Sequence, residues 1–231
     1  MTAEPPAAAP TEGAVAIAIE GIRHLIRSRE LLPGEPIRQQ DMAARLGMSR
    51  VPVREALGAL ETEGIVRHSR NQGYFVVKFS AGDLQQIYLM RQLLEDALLR
   101  AMQWPEPERL EQIKALNDEI ASAAEEGDVA RVVVLNRQFH EEIFALSPLR
   151  TIHREVKRLW EMSDSYRALY LYGRAARMRI AEEHQSMLDA IERRDIEALL
   201  GAVDQHRAAA LEEVASMLGA REPLGLGEPP R

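Results

Sequence analysis

The sequence predicts a mainly α protein, an N-terminal winged helix-turn-helix followed by an antiparallel all-α helical bundle. Three observations predict it. A Gly47-Met48-Ser49 turn joins two short amphipathic stretches; two β-prone runs flank a polar loop that ends at Gly73; and after Phe79 the chain turns Ala-, Leu- and Glu-rich with almost no strand signal. The expected organisation is a disordered tail over 1–13, a winged helix over 14–78, a helical domain over 79–218 and a second disordered tail over 219–231. Both tails are Pro-rich and lack an apolar period.

Within 14–78, Val15, Ile19, Ile22 and Ile26 recur at i, i+3/i+4, an amphipathic helix from Val15 to Arg29 that Leu32-Pro33-Gly34 ends. A short helix over Gln40 to Leu46 follows. After the Gly47 turn, a third helix begins at Arg50, with Ser49 as N-cap and Pro52 in the first turn, where a missing N–H is tolerated. It buries Val53, Ala56, Leu57 and Leu60, and Gly64 stops it. Arg50 and Arg54, four residues apart, project together from its N-terminal half. Ile65 to Arg67 and Tyr74 to Lys78 read as strands around a basic loop, His68 to Gly73, which makes a wing.

The remainder divides at caps and breakers into six helices. Ser80 with Asp83 opens the first, to about Met102, and the Pro105 and Pro107 region separates it from a second ending at Gly127. Asp128 caps the third, through Ala145. Ser147-Pro148 opens a fourth reaching Tyr172, Gly173 precedes a fifth over Ala175 to Arg194, and Asp195 caps the sixth, ending near Leu218. Short loops between such helices describe a bundle whose interior is a place for ligand sites.

Composition narrows the chemistry. With no cysteine, the chain has no disulfide framework, no thiolate zinc finger and no cysteine nucleophile, and a reducing cytoplasm is its expected setting. No apolar run approaches the roughly 20 residues that span a bilayer, and the first ten residues lack the pattern of a signal peptide, so no membrane partner is expected. The net charge of −7 is divided unevenly: residues 14–78 carry ten basic against seven acidic side chains, leaving −10 for the rest. An i,i+4 arginine pair alone is as ordinary as a solvated helix face. On the N-terminal half of a recognition helix, beside the positive helix end and a basic wing, it fits guanine O6/N7 or phosphate in double-stranded DNA.

In the helical half, Asn136 and His140 stand four residues apart and share a helix face, while His184 and His206 lie on the fifth and sixth helices. Three imidazoles and an amide oxygen, if they converge, suit a divalent ion such as Zn, Ni or Mn with positions left open. Such a donor set is neutral, so the pocket favours an anion. His24, His68 and His153 match no pattern and read as surface or core residues.

The run Leu46 to Leu57, with Ser49-Arg50-Val51-Pro52-Val53-Arg54-Glu55-Ala56-Leu57 inside it, then Leu60 to Gly64 and Gly73 to Val76, closely resembles the winged helix of GntR-family transcriptional regulators. Asn136-x-x-Phe139-His140, His184 with Leu188 to Asp195, and His206 are similar to the FCD effector domain of that family, with six helices as in its VanR-like variant. The resemblance implies a ligand-responsive transcriptional regulator, in the repressor sense commoner among relatives. It implies Arg50 and Arg54 as the main base or phosphate contacts, with Ser49 and the wing residues Arg70, Gln72 and Gly73 on the backbone. Arg38 and Arg67 are further candidate phosphate contacts, and Glu55 is expected to orient the arginines rather than to catalyse. Gln40 stands where some relatives place another DNA-contacting arginine.

The same resemblance implies Asn136, His140, His184 and His206 as metal ligands, with Asn136 where Asp is frequent, and Arg91 as the clamp for a small organic acid, Glu95 at i+4 being its bland partner. One helix reads a half-site, so a homodimer on a pseudo-palindromic operator is expected. The alternatives are a metal-dependent hydrolase or lyase using the three-His site, and a fatty-acyl thioester sensor without metal. The first lacks a general base at a motif spacing, and the second fits poorly with a polar lining.

Overall fold

The computed structural model describes residues 12–171 and 173–218 of the chain, which divides into two compact units at Lys78 and Phe79. The tails expected over 1–13 and 219–231 lie outside the described residues, except for residues 12 and 13, which are already helical.

The first unit runs α1 (Glu12–Arg27), β1 (Pro36–Ile37), α2 (Gln39–Arg45), α3 (Arg50–Thr62), β2 (Val66–Ser69) and β3 (Gly73–Val76). Ile22, Ile26, Val53, Ala56, Leu57 and Leu60 interlock as its core. Two glycines set the angles between helices. After α2, Gly47 adopts φ 65° so that Gly47 N–H reaches the Ala44 carbonyl and Met48 N–H reaches that of Ala43. After α3, Gly64 at φ 80° lets its own N–H reach Glu61 and Ile65 N–H reach Leu60. Both closures follow the left-handed cap that glycine adopts without a Cβ penalty.

Three expectations change here. The first helix starts and ends earlier than predicted, with Arg29 beyond it at φ 62°. The wing strands occupy 66–69 and 73–76, and a third strand, β1, pairs antiparallel with β3 to give the order β1-β3-β2. Two residues have no period to read, so only pairing with β3 identifies β1. Ser49 has the extended backbone of an N-cap, but its side chain accepts no capping bond.

The second unit contains, among the described residues, α4 (Ala81–Arg100), α5 (Pro107–Glu126), α6 (Val129–Phe144), α7 (Arg150–Tyr170), α8 (Arg174–Glu192) and α9 (Ile196–Met217). Ser80 and Asp83 close a reciprocal capping box on α4, and Asp128 and Asp195 each accept a backbone N–H at the starts of α6 and α9. Helix α4 packs against α7 and α9, and α5 against α6 and α8.

The bundle interior also holds charge. Glu95 on α4, 1% exposed, accepts from Arg91 Nε at 2.9 Å, from Trp160 Nε1 at 2.7 Å and from Arg207 Nη1 at 2.7 Å, joining α4, α7 and α9. Burial pushes the Glu95 carboxyl up, but the Arg91 and Arg207 guanidiniums outweigh it and hold the group below its ordinary value. Its stabilisation is therefore present above the unfolded carboxylate range and is lost as pH falls through the folded value.

Two measurements test this account. Gly47→Ala meets no neighbour within 4 Å, so the backbone strain alone acts, and urea unfolding should show a loss of about 1–2 kcal/mol. Glu95→Gln should destabilise the second unit by about 3–5 kcal/mol at pH 7, since it leaves buried guanidiniums uncompensated. The gap from wild type should narrow as pH falls below the ordinary glutamate range; a constant gap would remove the charge argument.

Candidate nucleic-acid interface and metal centre

The amphipathic period of α3 sends Val53, Ala56, Leu57 and Leu60 into the core and leaves Arg50 and Arg54 exposed one turn apart. Neither arginine makes an ion pair among the described residues, and the same holds for Arg70 in the wing loop. Arg38, directly before α2, is 80% exposed and faces Asp41 at 3.9 Å, a pair too solvated to hold it strongly. Arg38 and Arg50 line one groove of about 530 Å³ together with Gln40, Gln72, Gly73 and Tyr74. Ser49, Arg54, Arg67 and Arg70 are exposed but do not line it. Arg67 lies on β2 with its guanidinium 4.9 Å over the Phe75 ring, which ties its stem to the sheet. Glu55 is exposed and makes no ion pair with either recognition-helix arginine among the described residues, so the orienting role expected of it has no contact behind it.

In the second unit, His140 on α6, His184 on α8 and His206 on α9 are 2%, 0% and 6% exposed, and their ring nitrogens converge within 4.8 Å. Nε2 of His140 lies 3.2 Å from Nε2 of His206 and 3.2 Å from Nε2 of His184. An ion about 2.0–2.1 Å from each nitrogen at tetrahedral angles would set them roughly 3.3 Å apart, close to these separations. Phe139 stacks on His184 with centroids 4.0 Å apart and meets His140 edge-on, so the rings are held by packing.

Partners on the far side of two rings fix their tautomers. Asn117 Nδ2 donates to the Ala181 carbonyl, which leaves Asn117 Oδ1, 3.2 Å from His184 Nδ1, to accept from that ring. Glu183 Oε2, 2.6 Å from His206 Nδ1, is likewise an acceptor. In the neutral rings both Nδ1 atoms therefore carry the hydrogen, and both Nε2 lone pairs turn toward His140 Nε2. One proton on His140 can satisfy only one of them. Protonating His140 or His184 is disfavoured: burial first, then His184, His206, Arg91 and Arg167, push His140 well below the usual imidazole range, and burial with His206 does the same to His184. Asn136, one turn before His140 and 1% exposed, adds a buried Oδ1 with no hydrogen-bond partner. An unpartnered amide oxygen beside three converging ring nitrogens that share at most one proton among the neutral rings is what a cation satisfies.

Arg91 is buried and lies with its guanidinium 4.2 Å over Trp160, its Nε on Glu95. Arg167 on α7 stands 4.1 Å over the same indole and pairs with Asp164. Both cations act on His140, but the recess that reaches His140 is lined by Arg137, Lys157, His153 and Trp160 and not by Arg91. At about 20 Å³ that recess admits about one water.

Asn117, Glu183, Trp160 and Arg167 are the functional neighbours that sequence reasoning missed. Only Asn117 left a local trace, a polar residue within the buried α5 series Ile113, Ile120 and Ala124. Among the described residues, no helix is long and apolar enough to cross a membrane.

Comparison with known proteins accords with this geometry. The model of bacterial regulatory proteins of the gntR family matches residues 16–76, and that of the FCD domain matches 86–209, more than half of the chain. An HTH-type transcriptional regulator of Agrobacterium vitis from the TAR-I ttuE-ttuC' intergenic region is 31% identical over 137 residues, covering 58% of this chain and 80% of the relative. Two solved structures share the fold. A GntR transcriptional regulator from Rhodococcus sp. RHA1 has TM-score 0.75 at 22% identity, covering 92% of this chain and 100% of that one. Escherichia coli McbR/YncC has TM-score 0.74 at 21% identity, covering 89% and 97%. With an exposed arginine pair on a winged helix and both family models matched in order, the chain belongs to the GntR family and is a DNA-binding transcriptional regulator with an FCD domain, not an enzyme.

Proposed function

We propose that this regulator is a ligand-responsive repressor, acting as a homodimer on a pseudo-palindromic operator in the cytoplasm, whose FCD domain senses a small organic acid through a divalent metal. The observation that carries the sensing half is the convergence of His140, His184 and His206 with their outer nitrogens already engaged and the Asn136 oxygen buried without a donor. These four residues would hold the ion, and a bound dication would supply an electrophilic anchor for a carboxylate. Zn, Ni and Mn all suit nitrogen-rich sites with an oxygen ligand. The six helices α4–α9 among the described residues accord with the VanR-like variant.

The donor set is uncharged, so a bound dication leaves positive charge in a low-dielectric interior where Arg91 and Arg167 add to it. Water is a poor match for that field and an organic anion a good one. Arg91 is the clamp in this reading, assisted by the indole beneath it. Because the recess at His140 admits only about one water, an acid must open the bundle to enter, and α6 and α7 flank that recess. Regulation then requires the acid to favour one of two states that differ in operator affinity.

For DNA, Arg50 and Arg54 are the base-reading candidates. Ser49, Arg38, Arg67, Arg70, Gln72 and Gly73 are the candidates for positioning on the phosphate backbone. Half-site reading by one short helix is what makes the dimer necessary.

Three outcomes follow. Arg54→Ala should weaken binding to a duplex selected by the wild-type protein by about 1–3 kcal/mol in fluorescence anisotropy. Normal selection by that variant removes Arg54 from the role. Elemental analysis of protein purified without chelator should find about one divalent ion per chain, abolished in His140→Ala. Small carboxylic acids should raise the thermal midpoint of that protein, and chelation should remove the shift; a shift indifferent to chelation separates acid binding from the metal.

A further inference from the structure

The three imidazoles and the Asn136 amide bring no negative charge to a dication, and the buried acids Glu95 and Asp164 of the same unit are committed elsewhere. Glu95 is held by Arg91 and Arg207, and Asp164 by Arg137 and Arg167. Glu183 differs. Its Oε2 lies 2.6 Å from Nδ1 of His206, the one carboxylate hydrogen-bonded to any of the three rings among the described residues. Its other oxygen, Oε1, accepts from Arg179 Nε at 2.7 Å, but Arg179 also serves Glu213 at 2.5 Å, so the group of three keeps one net negative charge. Glu183 is 15% exposed and Arg179 39%, which sets the carboxylate between the solvated rim and the buried ring. Asn117 performs the same hydrogen-bonding task for His184 without charge.

We infer that Glu183 is a positioning residue for the metal centre, holding His206 with Nε2 turned inward and supplying through that imidazole the negative charge that the ligands themselves lack. The inference rests on the metal-centre reading proposed above. A carboxylate behind an imidazole fixes the ring's tautomer and raises its strength as a donor. Here it also makes the three imidazoles unequal, with His206 the most electron-rich. Glu183 sits beside His184 in sequence yet serves His206, because α8 turns adjacent side chains about 100° apart and Glu183 is the one that reaches Nδ1 of His206 on α9.

The test uses the full-length chain, stripped with chelator and titrated with Co2+, read by visible d–d absorption and by competition with a chelating dye. Glu183→Gln keeps the size and an acceptor oxygen but removes the charge. It should weaken Co2+ binding by roughly 10–100-fold, with the helical circular dichroism of wild type. Arg179→Gln disturbs the same surface contacts while leaving the carboxylate on His206, and should bind Co2+ within about threefold of wild type. Equal loss in both variants would assign Glu183 a merely structural role. Equal affinity of Glu183→Gln and wild type overturns the inference alone. A wild-type chain that takes up no Co2+ overturns the metal-centre reading and this inference with it. Independently of any variant, long-range 1H–15N spectra of the Zn2+-loaded wild type should show His206 protonated at Nδ1 with that proton far downfield. Protonation at Nε2 refutes the assignment.

Discussion

A polar group taken out of water without a partner costs roughly 2–7 kcal/mol, and the interior of the second unit is organised around a concentrated instance of that constraint. Three imidazole nitrogens face one another in a space where His140 can donate to one neighbour at most. Asn117 and Glu183 occupy the outer nitrogens of two rings, so neither ring can turn its hydrogen inward without breaking a bond behind it. Phe139 packs against two of them, stacked on His184 and edge-on to His140. A bundle could bury leucines at these positions with less difficulty. Retaining imidazoles and an amide there makes sense when the interior is meant to hold something other than protein.

The buried charges around the cluster obey the same logic with opposite means. Glu95 accepts from an arginine of its own helix, an indole and an arginine from α9, so one carboxylate ties α4, α7 and α9 together. Trp160 links this network to the histidines: its N–H serves Glu95, its face receives Arg91 and Arg167, and His140 lies 4.8 Å from it. Any anion that competes for those arginines therefore acts on groups that also hold helices together. That is a physical route from ligand to packing within one compact unit.

The first unit shows the reverse economy. Its cations are left exposed at the start of α3, before α2 and in the wing, while three of its acids, Glu63, Glu20 and Glu30, are engaged with the other arginines Arg23, Arg27 and Arg45. A surface that neutralises its scaffold charges and leaves its reading charges open is suited to a polyanion. The groove shared by Arg38, Arg50, Gln72 and Gly73 arises because β1 ties the segment before α2 to the wing through β3. Sequence patterning named these four residues separately and gave no sign of the strand that unites them.

Legibility followed the range of the interaction that makes each feature. Caps, glycine stops and apolar periods depend on residues within a turn or two of each other, so α2 to α9 and the Arg50 and Arg54 pair could be read from the chain. The Asn136 and His140 spacing could be read for the same reason. By itself, then, the sequence determined a winged helix ahead of a helical bundle, and which residue types each helix face would carry. The tertiary structure alone decided that nitrogens 44 and 66 positions apart come within 3.2 Å, that Glu183 turns to His206 and not to a solvent-facing lysine or arginine alone, and that Arg91 stacks on Trp160. The reason is that a helix fixes the direction of a side chain about its own axis, while the meeting of side chains from α6, α8 and α9 depends on how those helices pack.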